Sequence, residues 1–70
     1  MKILVLGCNG MAGHLISLYF KEKGHSVVGF ARSKSKLLDS TIIGDASDMS
    51  LIKAILEDGD YDAVINCIGL

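Results

Sequence analysis

A glycine-rich stretch that follows a short apolar run constrains the fold of this chain more than any other feature of its sequence. The run is KILVL at residues 2–6, and the stretch is GCNGMAG, with glycines at positions 7, 10 and 13. A short, branched and almost wholly apolar run is typical of a parallel strand that is buried on both faces. Glycines in register directly after such a strand indicate that the backbone itself is needed where the strand ends.

Apolar residues at helical spacing follow the glycines and predict a first helix. This helix begins near Met11 and meets stop signals at residues 21–24. Its predicted apolar stripe consists of Met11, Leu15, Leu18 and Tyr19, widened by Ile16 and Phe20.

Further strand and helix signals continue along the chain. Strands are predicted at 26–30, 41–43 and 63–68, and the polar connection 31–40 has room for about one helical turn. A second helix is predicted over 49–57, capped by Asp45 or Ser47 and ended by Gly59, with Asp48 as a further capping or first-turn residue. Its predicted apolar face consists of Met49, Ile52, Ile55 and Leu56.

The order of these elements predicts an α/β fold. Right-handed crossovers give a parallel sheet, and the expected strand order is 3-2-1-4. The apolar fourth strand would then lie at an open edge, where unpaired backbone groups invite aggregation. We therefore expect residues 1–70 to be the N-terminal part of a larger nucleotide-binding domain, with the remainder of that domain and a substrate domain absent.

Composition excludes several classes of protein. Half of the residues are hydrophobic and the formal net charge is -1, so no global attraction to nucleic acid or membrane is expected. The first apolar run is too short for a signal peptide or a membrane span, and the two cysteines lack C-x-x-C spacing. We expect a cytoplasmic protein without a metal site.

Each glycine of the GCNGMAG stretch has a separate expected task. Gly7 allows a tight turn, Gly10 lets the backbone approach a pyrophosphate, and Gly13 lets helix and strand pack closely. The helix N-terminus then favours the anion. A P-loop would need a lysine after the last glycine, where this chain has His14. A glycine-rich turn without a ligand is the alternative, but such a turn would need only one glycine.

The sequence resembles the N-terminal half-domain of the extended short-chain dehydrogenases/reductases. The segments that carry the resemblance are MKILVLGCNGMAGHL, GHSVVGFAR, GDASD and YDAVINCIG, and two residues separate the first glycines where the common dinucleotide motif has one. Among these enzymes the chain is most similar to nucleotide-sugar reductases of the dTDP-4-dehydrorhamnose reductase type. The resemblance implies a doubly wound Rossmann-type domain with a bound dinucleotide.

The resemblance also implies which residues contact the cofactor. Asp45 matches an acid that meets the adenine amino group, and Ala46 adds backbone contacts. The turn after the fourth strand passes the phosphates and the nicotinamide ribose. The implied contact residues are Gly7, Asn9, Gly10, Met11, Gly13, Arg32, Ser33, Asp45, Ala46, Cys67, Ile68 and Gly69.

The residues after the second strand favour NADP(H), with NAD(H) as the alternative. Ala31 stands where the NAD-preferring pattern has Asp, and Arg32 and Ser33 follow it, with Lys34 and Lys36 nearby. An arginine can bind the 2′-phosphate through a bidentate fork. A solvated basic loop is the alternative interpretation of these charges.

Two residue pairs have a functional and a structural interpretation. Cys8 and Cys67 follow neighbouring strands. We interpret them as small apolar side chains that fill space, and a redox pair is the alternative. Tyr19 and Lys23 have the spacing of the Tyr-x-x-x-Lys pair that the resemblance implies for catalysis. They lie on the first helix, however, whereas the family's pair lies on a later one. No catalytic residue is therefore predicted within residues 1–70.

These observations predict the NADP(H)-binding portion of a nucleotide-sugar reductase that transfers hydride to a keto-sugar. An epimerase or dehydratase of the same family and a non-catalytic NADP-binding sensor are the alternatives. The expected partners are a nucleotide-sugar substrate, bound through a later part of the protein, and further copies of the full-length chain. The 70-residue chain alone is expected to be inactive.

Overall fold

A computed structural model describes residues 1–68 as one parallel four-stranded sheet with two helices. The strand order is β3-β2-β1-β4, and every neighbouring pair is parallel. This confirms the predicted α/β class and strand order. Neither of the helices within residues 1–68 is long and apolar enough to cross a membrane. The elements are β1 (Lys2–Leu6), α1 (Met11–Glu22), β2 (Ser26–Ala31), β3 (Ser40–Ile43), α2 (Met49–Gly59) and β4 (Ala63–Asn66).

The register of the sheet gathers the strand-ending turns at one edge. Leu6 at the end of β1 is paired with Phe30 in β2 and with Asn66 in β4. In the next pair, Ala31 of β2 is opposite Ile43 of β3. Because all four strands are parallel, the segments that follow them emerge side by side at the carboxyl edge.

The core lies on both faces of β1. Ile3, Leu4 and Val5 are each 0% exposed, as predicted for a strand covered on both sides. Ile3 and Val5 belong to a cluster that includes Ile16 and Phe20 of α1. On the other face, Leu4, Leu6 and Phe30 pack with Leu51, Ile52 and Ile55 of α2. One helix therefore covers each face of the sheet.

The apolar stripe predicted for α1 is only partly right, because Ile16 and Phe20 pack against the core while three other members face outward. Those three, Met11, Leu15 and Tyr19, are 86%, 60% and 57% exposed.

Gly13 and Ser17 are the buried residues of α1. A Cβ added at Gly13 would overlap the Gly7 carbonyl oxygen, so the small residues let the helix backbone approach the end of β1. Small residues, together with Ile16 and Phe20, therefore form the face of α1 that packs. Ser17 is buried with its hydroxyl unpaired among residues 1–68.

The apolar face of α2 is also only partly as predicted. Ile52 and Ile55 pack against the sheet, but Leu51 joins them, while Met49 is 70% and Leu56 is 42% exposed. The helix is capped by Asp48 rather than by Asp45 or Ser47, and it continues to Gly59. It ends because Asp60 adopts the left-handed conformation, with φ 51°.

Three strands and one loop differ from the predicted boundaries, and the smallest difference is that β3 begins at Ser40 rather than Thr41. β4 stops at Asn66, because the Asn66 side-chain oxygen accepts a hydrogen bond from the Ile68 N–H at 2.9 Å and turns the chain. β2 continues to Ala31, and the connection that follows it contains no helical turn. That loop is held by Ser35, whose side-chain oxygen accepts hydrogen bonds from the N–H groups of Leu37 and Leu38 at 3.1 and 3.2 Å.

Candidate functional site

The turn between β1 and α1 requires glycine at its first position. Gly7 has φ +80°, in the left-handed region that other residues rarely adopt. Its N–H donates to the Phe30 carbonyl oxygen at 2.7 Å, and its own carbonyl accepts from the Gly10 N–H at 3.1 Å. A Cβ at this position would also lie 3.0 Å from Cγ1 of Ile68. The structure thus confirms the predicted tight turn.

Gly13 lies where α1 crosses the end of β1. A Cβ there would overlap the Gly7 carbonyl oxygen and would lie 3.0 Å from the Cα of Cys8. These obstacles are backbone atoms, which cannot move aside as the end of a flexible side chain can. The predicted close packing of helix and strand is therefore confirmed.

Gly10 leaves the start of α1 open. It is the N-cap residue, with φ -71° and ψ 166°, and no side chain makes a capping hydrogen bond. A Cβ at Gly10 would contact only the Gly7 carbonyl oxygen, at 3.5 Å. The first turn also contains no acidic residue. The N–H groups of Met11 and Ala12, which a helix cannot satisfy internally, are thus left for an external acceptor.

The space beside this helix start fits the phosphates of a dinucleotide. A cavity of about 410 Å³ is lined by Gly10, Met11, Ala12, Leu15 and Cys67. The exposed N–H groups and the positive end of the helix dipole attract a pyrophosphate, and the glycines let it approach the backbone. The residues present therefore suit the cofactor that the glycine pattern predicts.

The turn after β4 lies directly beside the glycine turn. The Cys67 N–H donates to the Leu6 carbonyl oxygen at 2.9 Å, and Cys67 lines the same cavity as Gly10. Ile68 approaches the position where Gly7 lacks a side chain. The structure thus brings Cys67 and Ile68 to the predicted site, while Gly69 lies outside the described residues.

Asn9 connects the glycine turn to the loop that follows β2. Its side-chain Nδ2 donates to the carbonyl oxygen of Ser33 at 2.8 Å and to the Ser33 Oγ at 3.2 Å. Sequence reasoning named both residues as separate cofactor contacts and missed the link between them. The parallel pairing of β1 with β2 was the available signal, since it places the ends of the two strands together.

The predicted adenine contacts lie at the end of β3. The Asp45 carboxylate accepts hydrogen bonds from the N–H and the Oγ of Ser47, both at 2.9 Å. These hydrogen bonds lower the pKa of Asp45, and the positive charge of Arg32 lowers it further. Asp45 is therefore an exposed, ionised acceptor near Arg32, and Ala46 beside it packs into the core under α2.

The two cysteines occupy different environments. Cys8 is 1% exposed, and a Cβ added at Gly29 would lie 2.5 Å from its sulfur, so the thiol is packed over β2. Burial raises the pKa of the Cys8 thiol. Cys67 is half-buried beyond β4's end, and both cysteines are free. This arrangement favours apolar packing over a redox pair.

Tyr19 and Lys23 lie on the exposed face of α1 and do not form a proton-donating site. The Lys23 ammonium lies 5.5 Å from the centroid of the Tyr19 ring, in a cation–π contact. Tyr19 lies near the end of α1 and Lys23 is its C-cap residue, so both are remote from the glycine turn at the start of the helix. The pair is therefore a surface contact.

Comparisons with known proteins agree with this geometry. The model of the NAD dependent epimerase/dehydratase family matches residues 3–70. The chain is 34% identical over 68 residues to the "Probable low-salt glycan biosynthesis reductase Agl14" of Haloferax volcanii, a match that covers 96% of this chain and 23% of that protein. The chain thus spans about a quarter of this curated relative's length.

A crystal structure provides a second comparison. SP1627 of Streptococcus pneumoniae TIGR4, suggested to be an NADH-flavin reductase, superposes with a TM-score of 0.80 at 33% sequence identity. The superposition covers 100% of this chain and 32% of that one. The fold of this chain is therefore shared with part of that larger protein.

Proposed function

Because the chain belongs to the NAD dependent epimerase/dehydratase family, we propose that it is the cofactor-binding part of a cytoplasmic, NADP(H)-dependent nucleotide-sugar reductase of the dTDP-4-dehydrorhamnose reductase type. The observation that carries the proposal is the open start of α1, where Gly10 provides no capping side chain. Reductive sugar chemistry is supported by the likeness to a glycan biosynthesis reductase. In this proposal the keto-sugar and the proton donor are held by parts of the protein outside residues 1–68.

Residues 1–68 hold and orient the cofactor in this proposal. The N–H groups at the start of α1 bind the pyrophosphate, and Gly7 and Gly13 keep the turn close enough to the strand for this contact. Asp45 would accept a hydrogen bond from the adenine amino group, and Cys67 would line the space for the nicotinamide ribose. NADPH, when bound, would supply the hydride for reduction of a sugar carbonyl.

The preference for NADP(H) rests on the loop after β2. Ala31 at the end of the strand provides no carboxylate for a ribose hydroxyl, and the exposed residues that follow include Arg32, Lys34 and Lys36. Arg32→Ala should weaken NADPH binding about tenfold and leave NADH binding nearly unchanged. Lys53→Ala, an exposed change on α2, is the matched control. Equal losses for the two cofactors would contradict the assignment of Arg32.

Fluorescence titration of the purified protein with NADPH tests the proposal directly. We expect a saturable change in nicotinamide fluorescence, and Gly10→Asp should weaken this binding at least about tenfold, because the new carboxylate would occupy the start of α1 and repel the phosphates. A wild-type protein that changes neither NADPH nor NADH fluorescence would contradict dinucleotide binding.

An epimerase is the second candidate, because the matching family is that of the NAD dependent epimerases and dehydratases. A reductase consumes NADPH in proportion to product, whereas an epimerase that works by hydride transfer starts from the oxidised cofactor, takes a hydride from a hydroxyl-bearing carbon of its substrate and returns it, with no net consumption. Incubating the full-length protein with NADPH and a dTDP-4-keto sugar, and separately with NADP+ and the corresponding dTDP-hexose, therefore separates the two. Stoichiometric NADPH oxidation by the keto sugar supports the reductase, and a changed configuration of the hexose without net reduction of the cofactor supports the epimerase.

A further inference from the structure

Three exposed residues lie between two buried ones in the connection that follows β2. Ala31 is 9% and Ser35 is 4% exposed, whereas residues 32–34 are all exposed. The Ser35 N–H donates to the Oγ1 of Thr41 at 3.2 Å and fixes the chain at that end of the stretch. Residues 32–34, which include Arg32, therefore form a short surface segment with both of its ends held by the core.

The middle of this segment is held from the glycine turn. The Asn9 Nδ2 donates to the Ser33 carbonyl oxygen at 2.8 Å and to the Ser33 Oγ at 3.2 Å. No side chain other than that of Asn9 forms a hydrogen bond with residues 32–34 within the part of the chain that the structure describes. Because both partners of this nitrogen are oxygen acceptors, the amide must turn its nitrogen toward Ser33 to form these bonds.

The amide of Asn9 is occupied by protein partners. Its oxygen lies 4.0 Å from the sulfur of Cys8, which is buried, while its nitrogen faces Ser33. Asn9 also does not line the cavity beside the start of α1, which is the space proposed for the cofactor phosphates. These contacts suit a side chain that holds two turns together better than one that binds the cofactor itself.

The contact with Ser33 determines how ordered the neighbouring Arg32 is before a ligand arrives. An arginine side chain loses rotamer freedom when it binds, and a backbone that is free to move adds to that loss. Holding the next residue in place lowers the entropy cost of binding through Arg32. Because the Asn9 side chain is neutral, it supplies this order without adding charge.

We infer that Asn9 is a positioning residue, which holds residues 32–34 against the glycine turn so that Arg32 is ordered for the NADP(H) phosphate before the cofactor binds. The inference rests on the proposed function, since it assigns part of the cofactor preference to a residue that acts through Arg32. It also makes a claim about the ligand-free protein, which can be tested without any cofactor.

NMR relaxation of backbone nitrogen atoms in the ligand-free protein tests that claim. Asn9→Ala should lower the order parameters of residues 32–34, because the middle of the segment loses its hydrogen bonds. Lys21→Met is the matched control. It removes a similar bond, from the Lys21 ammonium to the Leu37 carbonyl oxygen at 2.7 Å, farther along the same connection. This control should leave residues 32–34 as ordered as in the wild type.

Fluorescence titration with NADPH and with NADH tests the effect on binding. Asn9→Ala should weaken NADPH binding about fivefold, the loss expected for a hydrogen bond, and leave NADH binding nearly unchanged. A protein that is merely destabilised would lose affinity for both cofactors alike, so the ratio of the two affinities isolates positioning. Thermal unfolding shows whether each variant is folded, and Asn9→Ser keeps a small polar side chain if the alanine variant does not fold.

A double variant tests whether Asn9 acts through Arg32. In an Arg32→Ala background, Asn9→Ala should change NADPH affinity less than about twofold, because the group that it positions is already absent. A further fivefold loss in the double variant would show that Asn9 binds the cofactor directly and would overturn the inference.

The outcomes separate the inference from the proposed function. If NADPH binds the wild type and Asn9→Ala changes neither the order of residues 32–34 nor the ratio of affinities, the inference is overturned and the proposed function stands. Equal losses of NADPH and NADH affinity would overturn it as well, while dinucleotide binding stands. If the wild type binds neither cofactor, the proposed function fails and the role of Asn9 in cofactor choice is overturned with it.

Discussion

The two helices of this protein begin at the same edge of the sheet but in opposite ways. α1 starts at Gly10 without a capping side chain, whereas α2 starts at Asp48, whose carboxylate accepts a hydrogen bond from the Leu51 N–H at 3.1 Å. Both helices follow parallel strands, so topology gives each a start at the ligand-binding edge. The protein closes one of these starts with its own carboxylate and leaves the other open.

This difference identifies the residues that make a helix start available to an anion. An uncapped N-terminus leaves N–H groups unpaired and concentrates the positive end of the helix dipole. At α2 the negative charge of Asp48 already occupies that position. The open start of α1 is also flanked by a cavity and by the turn after β4. One substitution at either helix start should change whether that start is open to an anion.

The largest expected effect is on stability, from Gly13→Ala. Because the added methyl group would overlap the backbone of Gly7, α1 must move away from the sheet, at a cost of about 3 kcal/mol. Gly10→Ala is the matched control, since its nearest contact is 3.5 Å away, and it should change the free energy of unfolding by less than about 1 kcal/mol. Urea denaturation measures both, and equal midpoints for the two variants would show that Gly13 is not a packing requirement.

A smaller effect, of opposite sign for stability and binding, is expected from Gly10→Asp. The carboxylate should cap α1 and stabilise the protein by about 1 kcal/mol, while it repels phosphate and weakens NADPH binding at least about tenfold. Fluorescence titration tests the expected loss of NADPH affinity, and thermal unfolding of the same sample tests the expected gain in stability. Unchanged NADPH affinity in a folded Gly10→Asp protein would place the cofactor elsewhere.

The reciprocal change at α2 should affect stability alone. Asp48→Ala removes the cap and should cost about 1 kcal/mol of unfolding free energy. NADPH affinity should stay the same, because α2 does not hold the phosphates in the proposed complex. A loss of NADPH affinity as large as that expected for Gly10→Asp would show that the start of α2 also contacts the ligand.

The smallest effect concerns the carboxylate that precedes α2. Hydrogen bonds from Ser47, and more weakly the charge of Arg32, lower the pKa of Asp45. A lowered folded-state pKa means that the stabilisation is present above the unfolded-state pKa and is lost as the pH falls through the folded-state value. Ser47→Ala removes the hydroxyl donor and keeps the backbone N–H, which is the larger cause, so it should raise the pKa of Asp45 only part of the way toward its ordinary value in an NMR titration of the carboxyl carbon. A titration curve unaltered by the substitution would remove the Ser47 hydroxyl as a cause.

The sheet and the glycine turn could be predicted because their signals are local. The apolar run of β1 specifies a strand covered on both faces, and the spacing of Gly7, Gly10 and Gly13 specifies a strand–turn–helix unit. The strand order followed from the order of elements and the handedness of crossovers. The expected roles of Gly7 in the tight turn and of Gly13 in helix–strand packing therefore agree with the structure.

The features that were missed depend on side-chain size or on distant partners. The stripe of Met11, Leu15 and Tyr19 has helical spacing, but the small residues Gly13 and Ser17 let the neighbouring face pack more closely. Periodicity shows that a helix is amphipathic and does not show which of two adjacent faces the sheet accepts.

Contacts across the sheet edge were beyond the reach of sequence reasoning for a different reason. The hydrogen bonds from Asn9 to Ser33 join residues 24 positions apart, and their geometry depends on how both turns leave the sheet. The turn at Asn66, which shortens β4, depends likewise on a side-chain rotamer. Such details decide how the turns are arranged at the carboxyl edge of the sheet.

NMR mapping of backbone amides during titration with NADPH shows whether the open start of α1 holds the phosphates of a dinucleotide. We expect the largest shifts at Met11, Ala12 and Gly13, and little change at Ser50 and Leu51 where α2 begins. Saturable binding that leaves the amides of Met11, Ala12 and Gly13 unshifted would contradict it.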